Sequence, residues 1–219
     1  LDAAGASFHI NQQEVFLTVS IGVAFCPRDA DNVIDLIRNA DAAMYYSKQN
    51  GGNTFALYSQ EMNAAAVERL MLKSKLRRAV ERDEFIVLYQ SRVDLRDGRV
   101  VGAEAMVRWR LRGHGDIPPS QFIPLAEENN LIDVIGEWVL ERVCIDLNLL
   151  RRSGGNPGRI ALNLSLKQLR QASFILKCHS VFERHNVPVA SIELEITETT
   201  LMADPHRTLP MLHQLAAMG

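Results

Sequence analysis

The stretch Val100-Val101-Gly102-Ala103-Glu104-Ala105-Met106-Val107-Arg108-Trp109 decides how this chain is read. Its β-branched and apolar residues predict a strand. Residues two apart on a strand share a face, so Glu104, Met106 and Arg108 point one way and Ala105, Val107 and Trp109 the other. A carboxylate and a guanidinium therefore share one face, with apolar side chains behind them. Just upstream, Phe85 to Val93 reads as a second strand, and Asp97-Gly98 supplies a turn that makes the two antiparallel.

Downstream, a loop carries Gly113, Gly115, Pro118 and Pro119, and a short helix follows Ser120. A long helix runs from about Ile132 to Arg152 and is stopped by Ser153-Gly154-Gly155-Asn156-Pro157-Gly158. Then come a strand at Arg159 to Leu164, a helix at Gln171 to His185, a strand at Ser191 to Thr197 and a helix at His206 to Met218. Strands alternating with helices predict parallel βαβ units. About four strands fit here, whereas a closed (β/α)8 barrel takes eight strands and ~250 residues. The expected fold class is α/β, a partial TIM-like barrel.

The first part of the chain is a separate α/β piece. Glu14 to Phe25 (EVFLTVSIGVAF) predicts a strand, Asp31 a helix cap, and Ile34, Ile37, Ala40, Met44 and Tyr45 a helix that stops at Asn50-Gly51-Gly52. A short strand at Thr54 to Tyr58 follows. Residues 59–82 keep helical spacing without Gly or Pro, which predicts a helical connector, solvated rather than partner-binding. The expected organisation is a first domain over 1–58, a connector over 59–75 and a second domain over 76–219.

Composition narrows the function classes. The 219 residues are 47% hydrophobic and 23% charged, enough for a real core. A net charge of −2 gives no basic field for a nucleic-acid polymer. No apolar run is long enough to span a membrane and no signal peptide opens the chain, so a cytoplasmic setting is expected for these residues, with an upstream membrane or sensor segment left open. The chain starts without Met and stops within a helical pattern at Gly219, which reads as a piece of a longer protein. Cys26, Cys144 and Cys178 lie far apart with no CxxC spacing and read as reduced, small apolar residues. No phosphate-binding glycine loop, GxGxxG, HExxH or GxSxG motif occurs.

The strand ends are more informative. The same alternation sets Asn163 with Ser165 in IALNLS, and Glu193 with Glu195 and Thr197 in SIELEIT. Parallel barrels build their active sites at the C-terminal ends of strands. Singly, Glu104 pairing with Arg108, Asn163 capping a turn, or Glu195 facing solvent would be ordinary. Together, hard oxygen donors on three strands point to a divalent cation such as Mg²⁺, Mn²⁺ or Ca²⁺. Arg108 beside them, a planar fork matched to phosphate oxygens, points to a phosphate ester.

These segments carry a family resemblance. Leu76 to Gln90 with Val93-Asp94-Leu95, then Glu104-Ala105-Met106-Val107-Arg108-Trp109, Phe122-Ile123-Pro124-Leu125-Ala126-Glu127, Asn163-Leu164-Ser165 and Glu195-Ile196-Thr197-Glu198 resemble, in order, the blocks of an EAL-type cyclic-di-GMP phosphodiesterase domain. The match runs from about Leu76 to Gly219. Ser91, Met106 and Thr199 are mild departures, standing where the family has Pro, Leu and Ser. The resemblance implies Glu104, Asn163 and Glu195 as ligands of two metal ions, Mg²⁺ or Mn²⁺, with Glu104, Glu195 and Glu198 in the catalytic set. Glu198 would hold the loop that organises the metals, Arg108 would contact phosphate, and Gln90 would contact the ligand near the first strand. The implied reaction opens one phosphodiester bond of cyclic-di-GMP to give the linear dinucleotide.

Degenerate members of that family usually lose the metal carboxylates. Their presence here favours an enzyme over a receptor that binds the dinucleotide and signals to a partner. Active members are often dimers, so a homodimer is an expectation. The family's paired aspartates, and its later lysine and glutamate, do not occur in these 219 residues. Residues 1–219 alone are therefore expected to fold poorly and not to turn over substrate. Leu17-Thr18-Val19-Ser20-Ile21-Gly22 with Ala40-Asp41, Met44-Tyr45 and Lys48 resembles the end of a GGDEF domain, the diguanylate cyclase fold. Lys48 stands in place of a phosphate-contacting lysine, which would give a GTP or nucleotide contact; as a helix-end cation it also simply suits the dipole, and that reading is preferred.

Overall fold

The computed structural model describes residues 1, 7–10, 13–15, 17–197 and 205–219. The chain divides into two compact units, 1–72 and 73–219.

In the first unit, β1 (Phe8–Ile10) and β2 (Gln13–Val15) form an antiparallel pair, and β3 (Ile21–Val23) lies parallel to β4 (Phe55–Leu57). The single strand expected over Glu14 to Phe25 is thus two strands with different partners: 13–15 turns back on β1, while 21–23 pairs with a strand more than thirty residues later. Between β3 and β4 runs α1 (Val33–Gln49), capped by Asn32 rather than Asp31; the Asn32 side chain accepts from the Asp35 amide at 2.9 Å. Gly22 lets α1 lie on β3, since a Cβ there would sit 1.9 Å from the Ala40 carbonyl oxygen. Buried Ser47 donates to the Thr54 carbonyl at 2.7 Å and so fixes the end of α1 to the start of β4, a bond that alanine cannot make. Next, α2 (Gln60–Ala79) is one continuous helix, and the division into units falls within it.

The second unit holds β5 (Phe85–Val93), β6 (Val100–Leu111), β7 (Gly115–Ile117), α3 (Pro119–Glu128), α4 (Ile132–Arg152), β8 (Arg159–Asn163), α5 (Leu166–Leu169), α6 (Phe174–His185), β9 (Ile192–Glu195) and α7 (Pro205–Ala217). They form an open five-stranded sheet ordered β5-β6-β8-β9, with β7 also on β6. The β5-β6 pair is antiparallel; β6-β8 and β8-β9 are parallel. The parallel strands match the expected half barrel. β7 and α5 fall where loop was expected, and Ser165 leaves the strand to cap α5, accepting from the Lys167 amide at 3.1 Å.

The sheet's outer face and the helices make the core. Ala105, Ile160 and Leu162 pack with Leu140, Val143 and Leu147 of α4 and with Val181 and Phe182 of α6. Nearby, the Phe85, Trp109, Phe122 and Trp138 rings meet with centroids 5.6–6.2 Å apart. Burying an apolar side chain of this size contributes roughly 1.5–3 kcal/mol. Trp109 has no exposed surface, and its indole N–H donates to the buried Glu84 carboxylate at 3.0 Å. Among the described residues no helix is long and apolar enough to cross a membrane.

Candidate active site

With the outer face committed to the core, the same alternation sends Gln90, Arg92, Glu104, Met106, Arg108, Asn163, Glu193 and Glu195 to the inner face. The register aligns them: Gln90 lies opposite Glu104, and Asn163 opposite Glu195. Glu104 lies opposite Ala161, two residues before Asn163 on that same face. The Asn163 amide donates to Glu104 Oε1 at 2.6 Å. Three of the expected residues, Glu104, Asn163 and Glu195, therefore stand side by side on three adjacent strands.

Arg108 does not pair with Glu104. Its guanidinium donates to the Val107 carbonyl at 2.9 Å and touches Met106 Sδ at 3.6 Å, leaving it without a carboxylate partner among the described residues. Above Glu104, the β6 edge away from β5 pairs with β8 only through residues 102–105 and with β7 only through 109–111. Met106 to Arg108 thus border a gap in the sheet. A cavity of about 730 Å³ opens there, lined by Glu104, Met106, Arg108 and Asn163 and by apolar residues including Ile123 and Ile135. That volume suits a ligand of several hundred daltons. Gln90 is exposed on the inner face, and Glu198 lies outside the described residues.

The helix that follows the strand end steadies Asn163. Buried Gln168 accepts from the Ser165 amide at 3.1 Å, completing a capping box for α5. Gly136 of α4 makes room for it: a Cβ there would lie 1.8 Å from Gln168 Nε2. Lys167 Nζ donates to the Glu127 carbonyl and so links α5 to the end of α3.

The donor set fits a hard divalent cation. Among the described residues no three His, Cys, Asp or Glu side chains converge; the third donor here is an amide, whose carbonyl oxygen replaces its NH₂ by rotation about one side-chain bond. Arg92 is the residue missed from sequence. Its Nη1 lies 2.8 Å from Glu193 Oε1 and 3.2 Å from Glu195 Oε1. Alternation places Arg92 beside Gln90, but only the curvature of the sheet carries it from β5 to β9.

This curved α/β sheet, with carboxylates and an amide side by side on its inner face, defines the class. Residues 73–219 match the EAL domain, and the chain belongs to that family. Residues 1–54 match the diguanylate cyclase, GGDEF domain. The chain is 40% identical over 212 residues to the bifunctional diguanylate cyclase/cyclic di-GMP phosphodiesterase MucR of Pseudomonas aeruginosa, which covers 97% of this chain and 31% of that protein. It is 34% identical over 212 residues to the cyclic di-GMP phosphodiesterase PdeR of Escherichia coli, covering 97% of this chain and 32% of that protein. Among solved structures, the MucR phosphodiesterase in complex with c-di-GMP superposes with a TM-score of 0.65 at 40% identity, over 68% of this chain and 60% of that chain. An EAL enzyme with cAMP and cyclic-di-GMP bound gives 0.64 at 26% identity, over 88% of this chain and 50% of that one. The chain spans about a third of the length of these two curated relatives.

Proposed function

We propose that the protein hydrolyses one phosphodiester bond of cyclic-di-GMP in bacterial second-messenger signalling, and that this chain supplies part of the site. The observation that carries the reading is that Glu104, Asn163 and Glu195 stand side by side on neighbouring strands, near an arginine that has no carboxylate partner among the described residues. Similarity to named cyclic-di-GMP phosphodiesterases supports it.

On this reading Glu104, Asn163 and Glu195 hold Mg²⁺ or Mn²⁺, Arg108 takes a phosphate oxygen, and Gln90 contacts the dinucleotide across the inner face. When bound, the divalent ions activate a water and stabilise the displaced oxygen. The chain's own residues bind and orient: the carboxylates set the charge, the guanidinium fork fixes the phosphate, and the apolar wall limits water. Glu198 is assigned to holding the loop over the metals. Residues 1–58 are read as the end of a GGDEF-like domain, 59–75 as a connector and 76–219 as the start of the EAL domain, in a cytoplasmic protein. Lys48 is read as a helix-end cation, so a GTP contact there is not part of the proposal; a homodimer is, and light scattering of the intact protein tests it.

The test is turnover of cyclic-di-GMP by the intact protein and by Glu104→Gln. Loss of linear dinucleotide in the variant, with the fold retained by circular dichroism, is the expected result; undiminished turnover refutes the assignment.

A further inference from the structure

The inner face carries three carboxylates, Glu104, Glu193 and Glu195, and two guanidinium groups, Arg92 and Arg108, of which Arg92 reaches the carboxylates of β9. The Arg92 guanidinium is closer to Glu193, at 2.8 Å, than to Glu195, at 3.2 Å. All three side chains are about a third to a half exposed, so these ion pairs are weak and rearrange readily. Glu193 also dominates the electrostatic surroundings of Arg92, with Glu195 and Glu104 adding smaller attractions.

We propose that Arg92 is a positioning residue whose guanidinium is anchored by Glu193, so that it steadies Glu195 without displacing a divalent cation from it. The proposal rests on the metal-binding reading above. Glu193 acts as the counter-anchor: without it, Arg92 collapses onto Glu195 and competes with the metal. Without Arg92, the extra negative charge strengthens cation binding but leaves Glu195 unguided.

Mn²⁺ binding to the intact protein, followed by electron paramagnetic resonance of the free ion, separates the roles. Glu193→Gln is expected to weaken binding about tenfold and Arg92→Gln to tighten it about fivefold, since each charge acts on a doubly charged ion at short range. The double variant should return near the wild-type value, and Arg92→Lys should stay within about twofold of it, because the cation is kept. A double variant as weak as Glu193→Gln, or a Glu193→Gln affinity equal to wild type, overturns the proposal. A second measurement needs no metal: the ¹⁵Nε resonance of Arg92, assigned by its loss in Arg92→Lys, is expected to shift in metal-free Glu193→Gln. An unmoved resonance overturns the anchoring role. Absence of Mn²⁺ binding by wild type, with the resonance shift present, overturns the metal reading instead.

Discussion

The side-chain amide of Asn163 reaches across from the end of β8 to donate to Glu104 Oε1 at 2.6 Å, joining two parallel strands on the inner face. Asn163 is exposed, so the bond itself contributes about 0.5–1.5 kcal/mol at most. Its value is in the site. Asn163→Ala should change the melting temperature by only a few degrees and weaken Mn²⁺ binding by about tenfold or more, as loss of a metal-site partner commonly does. Calorimetry and metal titration on one preparation check both halves.

Gly136→Ala tests the support behind Asn163. Alanine improves helix propensity by up to about 1 kcal/mol, but its Cβ would overlap Gln168, a buried side chain already committed to a capping box; overpacking costs about 1–3 kcal/mol. The clash wins, and urea denaturation should show a net loss of about 1–2 kcal/mol.

Glu84→Ala strands the indole N–H of the fully buried Trp109, and an unsatisfied buried donor costs about 1–3 kcal/mol. Glu84→Gln keeps a carbonyl acceptor there and should cost less than half as much. Equal losses in the two variants, measured by denaturant unfolding, would show that packing rather than the hydrogen bond matters.

Thiol chemistry should sort the cysteines. Cys26 is exposed, whereas Cys144 and Cys178 are buried. Desolvation pushes Cys144 up to about 12 and Cys178 up to about 11. One thiol should react with a disulfide reagent in the native protein and all three after unfolding. Because the folded values lie above the unfolded ones, the neutral thiols favour the folded state fully below the ordinary thiol range. That stability is lost as pH rises through about 11 and about 12. Desolvation and the hydrogen bond to Asp146 raise the Tyr89 phenol as well, so alkaline unfolding should begin above the ordinary thiol range.

The placement of the candidate residues was legible where strand period alone decides direction. Glu104, Arg108, Asn163 and Glu195 share the inner face by alternation within β6, β8 and β9, whereas the register that sets Asn163 opposite Glu195 is not contained in that period. What a one-dimensional pattern does not contain is partner choice. Arg92 reads as one more residue of β5 until the sheet curves it towards Glu193, and 13–15 and 21–23 read as one strand until each finds a different neighbour. Short elements such as β7 and α5 also escaped, because Gly115–Ile117 is recruited by the long edge of β6 and Leu166–Leu169 is set by one capping serine.

The proposed role of Glu104, Asn163 and Glu195 is that of a divalent-metal phosphodiesterase site. The most direct measurement incubates the intact protein with cyclic-di-GMP after chelation and again after adding back Mn²⁺, and resolves the products by chromatography. Linear dinucleotide formed only with the metal restored is the predicted result. Hydrolysis that persists in chelator, or tight binding with no product once metal is present, would contradict it.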